Sequence, residues 1–179
     1  MRIKPLDPPY PPEMQADLDK LMRGAPPLML FRVMARNPRV LSRMMAGGLL
    51  DRGSISVRQR ELMILRTTAL CGAEYEWGVH VAAYGAKSNW TKDQLHASVR
   101  AAPEHPAWSV DERLILRLAD ALHQSNDVDD ALWAELKEVF ADEQLIELAM
   151  LAGLYHAVSF TLNAFRVPLE PSAPRFPQA

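Results

Sequence analysis

An all-α fold is predicted by three features of the chain. Stretches rich in Ala, Leu, Met, Arg and Glu alternate with short breakers. Several of those stretches open on capping-box sequences, and no stretch shows the β-branched alternation of a strand. The pattern is that of a multi-helix bundle. Its 179 residues are enough for one domain with a real core.

In chain order, residues 13–22, 27–35 and 38–50 read as helices, the last two with proline at or near the first turn, where its missing N–H costs nothing. Ser56-Val57-Arg58-Gln59 opens a helix through Leu70, stopped by Gly72. Glu74 then begins another. Thr91-Lys92-Asp93-Gln94 starts a helix that Pro103 ends, and Ser109-Val110-Asp111-Glu112 starts one reaching His123. In each box the hydroxyl accepts from the third helical N–H while the Gln or Glu reaches back. Asp127 is expected to cap residues 129–140, and Asp142 a long final helix to Val167. The fourteen prolines gather at the breaks and at both ends. Residues 1–12 are therefore predicted as an extended arm and 168–179 as a proline-rich tail, flanking one domain over 13–167.

Composition narrows the function. A net charge of −2 lacks the basic excess of a nucleic-acid binder. The single cysteine, Cys71, can form neither an intrachain disulfide nor a four-sulfur zinc site, and a reducing, cytoplasmic setting is the expectation. The proline-rich start has no apolar core of a signal peptide. Residues 148–165 form the longest weakly charged stretch, but it is slightly short for a membrane span and contains His156, Ser159, Thr161 and Asn163. It reads instead as a helix buried in the core or between subunits, and a homo-oligomer is expected.

The chemistry concentrates in Cys71-Gly72-Ala73-Glu74-Tyr75-Glu76-Trp77-Gly78-Val79-His80. Glu76 and His80 are four apart, so on a helix they share a face and can share a proton. Glu61, one helix hairpin upstream, is either a first-turn carboxylate favoured by the helix dipole or a buried carboxylate facing His80. With two anions nearby, His80 should be more basic than a free imidazole, although burial opposes this. Tyr75, Trp77 and Tyr84 are the candidate substrate contacts. Glu74 points away from Glu76 and reads as a capping or surface group. Cys71, at a helix C-terminus where the dipole disfavours a thiolate, reads as an inert thiol. No second histidine falls at ligand spacing beside His80, so no metal is assigned. His156 and Asn163 share a face of the final helix, with Tyr155 adjacent, as polar plugs or as further pocket residues. His96, His105 and His123 read as surface groups.

These residues resemble the carboxymuconolactone decarboxylase family, which includes the alkylhydroperoxidase D branch. The resemblance spans residues 38–167 and rests on Arg60-Glu61-Leu62, on Glu74-Tyr75-Glu76-Trp77 with His80, on Thr91-Lys92-Asp93-Gln94-Leu95, and on Tyr155-His156 with Asn163. Aligned on His80, the glutamate of the alkylhydroperoxidase branch matches Glu61, but its two cysteine positions hold Ala73 and Glu76. Disulfide exchange needs both sulfurs. The decarboxylase branch has a glutamate at the position of Glu76 but none at Glu61, and no comparable N-terminal portion. The chain thus resembles a decarboxylase-like branch combining features of both. The resemblance implies an alkylhydroperoxidase D-like helical fold associating as trimers or hexamers. The expected function is a cofactor-free lyase or isomerase acting on a small carboxylated or lactone-like metabolite, with Glu61, Glu76 and His80 as catalytic residues. A thiol-linked peroxidase or a non-catalytic binding protein is the alternative.

Overall fold

The computed structural model describes residues 1–178, and among them helices are the regular structure, with no strand. The order is α1 (Pro12–Met22), α2 (Met29–Met34), α3 (Pro38–Ala46), α4 (Val57–Leu70), α5 (Glu74–Ser88), α6 (Lys92–Arg100), α7 (Val110–Ser125), α8 (Asp130–Val139) and α9 (Asp142–Phe165).

The three capping boxes at Ser56, Thr91 and Ser109 all form, each hydroxyl accepting from the third helical N–H. Two expected caps move. Asp129, not Asp127, caps α8 by accepting from Leu132 N–H. Ala141, not Asp142, precedes α9, and Gln144 reaches back to its N–H. Asp142 therefore lies inside the first turn, where its charge suits the dipole. α3 stops at Gly47 rather than continuing to Leu50, because consecutive glycines at 47 and 48 make helix costly.

α4 is the hub. Nine consecutive residues, Arg60 to Thr68, are buried, because α5, α6, α7 and α9 pack around it. One core cluster joins α4 to α7, α8 and the first half of α9 through Leu62, Ile64, Ile115, Leu136, Leu148 and Leu151. A second gathers Leu18, Leu30, Val33 and Leu41 from α1–α3 with Tyr75, Val158 and Leu162. α9 is long and apolar enough to cross a membrane, yet its buried stripe (Leu145, Leu148, Leu151, Ala152, Tyr155, Val158, Leu162) belongs to these cores.

The two ends are tied down more firmly than free extended segments. Arg2 N–H donates to Phe165 C=O, Leu6 N–H donates to Arg32 C=O, and Ile3, Leu6 and Tyr10 pack on the second core. In the tail, Glu170 accepts from Met29 N–H and from the Tyr75 hydroxyl, both at 2.6 Å, and Phe176 meets Trp77 edge to face. The tail crosses α5 so closely at Gly78 that a Cβ there would sit 2.3 Å from Pro174 O.

Candidate active site

Glu61 and His80 meet because α4 reverses sharply into α5. Gly72 takes a φ of +61°, a conformation costly for any residue with a Cβ. Ala73 N–H then donates to Thr68 C=O and Gly72 N–H to Ala69 C=O, closing a Schellman motif. The two helices return antiparallel, each roughly two to three turns long up to its functional residue. Glu61 lies beyond the first turn of α4 and is 1% exposed, which selects the buried-carboxylate reading.

His80 Nδ1 is 2.7 Å from Glu61 Oε2. The other Glu61 oxygen accepts from Arg60 Nε at 2.9 Å and Nη2 at 2.8 Å, so a buried guanidinium clamps the carboxylate behind the imidazole. On the opposite edge of the ring, His80 Nε2 lies 3.0 Å from the Tyr155 hydroxyl and 3.5 Å from Glu76 Oε1. Tyr84 stacks on the imidazole at 5.5 Å and Tyr155 meets it edge-on at 5.0 Å. Glu76 Oε2 is buried and has no hydrogen-bond partner among the described residues.

Burial disfavours the imidazolium, but hydrogen bonds and charges from Glu61 and Glu76 outweigh it, and His80 is raised from 6.5 to about 9. Nδ1–H then donates to Glu61, and Nε2–H is held on the side of Tyr155 and Glu76. Burial, reinforced by the same two carboxylates, raises Tyr155 well above a free phenol, so it keeps its proton. The carboxylates address opposite edges of the ring and do not converge on one point. That arrangement suits proton transfer rather than shared ligation of an ion.

The front of this group opens on a cavity of about 470 Å³ between the two core clusters. Its walls are mostly apolar: Leu21, Leu30, Phe31, Met44, Met45 and Val158 among them. Glu76, His80, Tyr84 and Tyr155 supply polarity, and Asp51 is a further acidic residue on the wall. No lysine or arginine lines it among the described residues.

Glu61, Glu76, His80 and Tyr84 are thus brought together. Tyr75 and Trp77 are not, and their expected role as substrate contacts is corrected. The Tyr75 hydroxyl accepts from Leu30 N–H and donates to Glu170, while Trp77 Nε1–H donates to Ser98 Oγ at 3.1 Å. Helical spacing explains this: Glu76, Val79, His80, Ala83 and Tyr84 form the cavity-facing stripe, and 75 and 77 fall beside it. Glu74 accepts from Phe176 N–H and holds the tail.

Two residues of the site stand outside the acid/base motif in the sequence: Arg60, behind Glu61, and Tyr155, beside His156. The available signal for Tyr155 was its register on the buried face of α9, where a phenol needs a partner. His156 points elsewhere, to His123, and Asn163 donates to the Cys71 carbonyl. His123 is partly buried beside Cys71 rather than free at the surface. Cys71 does not line the cavity, and burial pushes its thiol up.

Residues 38–110 match the model of the carboxymuconolactone decarboxylase family. No curated protein matches the chain by sequence. Among solved structures, a peroxidase-related protein from Silicibacter sp. TM1040 superposes with a TM-score of 0.80 at 18% identity, covering 93% of this chain and 90% of that one. An alkylhydroperoxidase AhpD core protein from Ralstonia eutropha JMP134 gives 0.75 at 17%, covering 94% and 92%. The debrominase Bmp8 gives 0.77 at 16%, covering 94% and 92%. At these identities the likenesses show a shared fold.

Proposed function

We propose, of a chain that belongs to the carboxymuconolactone decarboxylase family through residues 38–110, that it is a cofactor-free acid/base lyase or isomerase. Its substrate is a small lactone-like or carboxylated metabolite with a largely apolar body. The observation that carries this reading is the buried His80, held by Glu61 on one edge and facing Tyr155 and Glu76 on the other, on the wall of an apolar cavity.

The roles follow from the geometry. Glu61, clamped by Arg60, fixes the ring and keeps it cationic. Glu76 Oε2, lacking a protein partner, is the group free to take a proton from substrate carbon or to receive a substrate hydroxyl. When decarboxylation or ring opening leaves an enolate, the electron pair is on carbon, and His80 Nε2–H returns a proton to it directly or through the Tyr155 phenol. His80 then recovers its proton from water. With no lysine or arginine on the cavity wall, a lactone or enol is favoured over a polyanion. A variant of the debrominase Bmp8, a protein of similar fold, forms a complex with 2,3,4-tribromopyrrole.

The competing reading is a thiol-linked peroxidase, as the names of several structural neighbours suggest. It is disfavoured because Ala73 and Glu76 stand where that mechanism places its sulfurs, and Cys71 lies off the cavity. We further propose a homo-oligomer, a trimer or hexamer. Ile146, Met150 and Phe160 are each more than 60% exposed, and with Gly153 and Ala157 they form an apolar stripe along one face of α9.

The test is turnover on a panel of lactones and β-keto acids, with hydroperoxides as the control class. Glu76→Gln and His80→Gln are expected to lose about 10²–10⁴-fold in kcat while Cys71→Ala retains activity. Hydroperoxide reduction that vanishes with Cys71→Ala would establish the peroxidase instead. Ligand binding without turnover on any substrate would leave a binding protein.

A further inference from the structure

Cys71, His123 and His156 come from three different helical elements and converge on one point away from the acid/base cavity. Cys71 is the C-cap of α4, His123 lies in the last turn of α7, and His156 sits midway along α9. Their ligand atoms all lie within 4.8 Å of one another. His123 Nδ1 is 3.0 Å from His156 Nε2 and 3.8 Å from Cys71 Sγ.

We propose that these three side chains form a zinc(II) site. The spacing is close to what zinc needs. With Zn–N of about 2.0–2.1 Å and Zn–S of about 2.3 Å, a tetrahedron places two nitrogens about 3.3 Å apart and sulfur about 3.6 Å from nitrogen. The donor set, one thiolate and two imidazoles, is one that borderline-soft zinc prefers over harder cations.

His156 is already oriented for the task. Its Nδ1–H donates to Ala152 C=O at 2.8 Å, which leaves the lone pair of Nε2 directed at the cluster. This backbone bond is the outer contact that ligating histidines typically make. His123 Nδ1 lies 3.0 Å from that lone pair and must carry a proton whenever no ion lies between them. Zinc takes its place once His123 carries its proton on Nε2 instead. The Cys71 thiol releases its proton to solvent as the Zn–S bond forms, so binding strengthens as pH rises. All three residues are partly exposed, and a water completes the tetrahedron.

The site ties the end of α4 to α7 and α9, at the point where the chain turns toward α5. Zinc binding is therefore expected to raise the thermal midpoint. This proposal is independent of the reaction assigned to the cavity, because neither Cys71 nor His123 nor His156 lines it.

The experiment is titration of the full-length, chelator-stripped protein with cobalt(II), followed by displacement with zinc(II). The expected result is one equivalent bound, with the intense thiolate-to-cobalt charge-transfer band and the visible bands of a tetrahedral site. Zinc should abolish both and raise the melting temperature. Cys71→Ala should remove the charge-transfer band, and His123→Gln and His156→Gln should each weaken binding at least tenfold. Should Cys71→Ala fail to fold, the histidine variants, on two other helices, read the same loss. A protein that shows no charge-transfer band at stoichiometric cobalt overturns the proposal. So does binding that survives Cys71→Ala but disappears in His80→Gln.

Discussion

Replacing Glu61 by Gln tests the electrostatic design of the cavity most directly. In the wild type, Glu61 accepts from His80 Nδ1 and from two Arg60 nitrogens, while being 1% exposed. A glutamine retains the shape but loses the charge, and its amide nitrogen cannot accept from either cation. Arg60, itself 5% exposed, becomes an uncompensated buried charge, and breaking such a pair costs about 3–5 kcal/mol. His80 loses its strongest anionic partner, so burial regains control and its pKa falls from about 9 toward or below 6.5.

The pH dependence carries a definite sign. His80 is raised in the folded state, so its contribution is complete below 6.5 and is lost as pH rises through about 9. Over that window the native state holds one proton more than the unfolded state. Wild-type stability should fall by about 3 kcal/mol on the basis of that shift. Urea unfolding at a series of pH values from 6 to 10 measures this, and imidazole NMR of His80 follows the titration itself. Glu61→Gln should flatten the slope over this window as well as lower stability. An unchanged slope, or a loss under about 1 kcal/mol, would refute the buried ion-pair account.

Tyr75→Phe should cost about 1–3 kcal/mol, because it leaves Leu30 N–H and Glu170 without the hydroxyl they share, and it should expose the tail to limited proteolysis. Catalytic efficiency should stay near wild type. Lost turnover with full stability would return Tyr75 to the substrate site. Met150→Asp places a charge in the exposed apolar stripe of α9 and should shift sedimentation toward a monomer of about 20 kDa with little change in intrinsic fold. An assembly indifferent to that charge would move the subunit interface elsewhere.

Much of the helical framework was legible because its signals are short-range. Ser56 with Gln59, Thr91 with Gln94 and Ser109 with Glu112 satisfy backbone groups three residues away, and all three boxes form as the sequence implies. The pairing of Glu76 with His80 is likewise a consequence of one helical turn, and Gly72 marks the reversal that returns α5 along α4. Where two local solutions compete, sequence is less decisive. Asp127 and Asp129 are both plausible caps, and the choice depends on where α8 must start to place Leu132 and Leu136 in the core.

Local residue patterns were enough for the class of fold, the starts of the well-capped helices, and the carboxylate–imidazole pairing within α5. Tertiary structure alone decided which faces those helices turn inward. It drew Arg60 behind Glu61 and brought Tyr155 from the last helix to His80. It turned Tyr75 and Trp77 toward the tail, and it assembled Cys71, His123 and His156 from three elements. Those contacts join residues distant along the chain, apart from adjacent Arg60 and Glu61. They form only when whole helices bury their apolar stripes against one another; local spacing sets which residues share a face, not what that face meets.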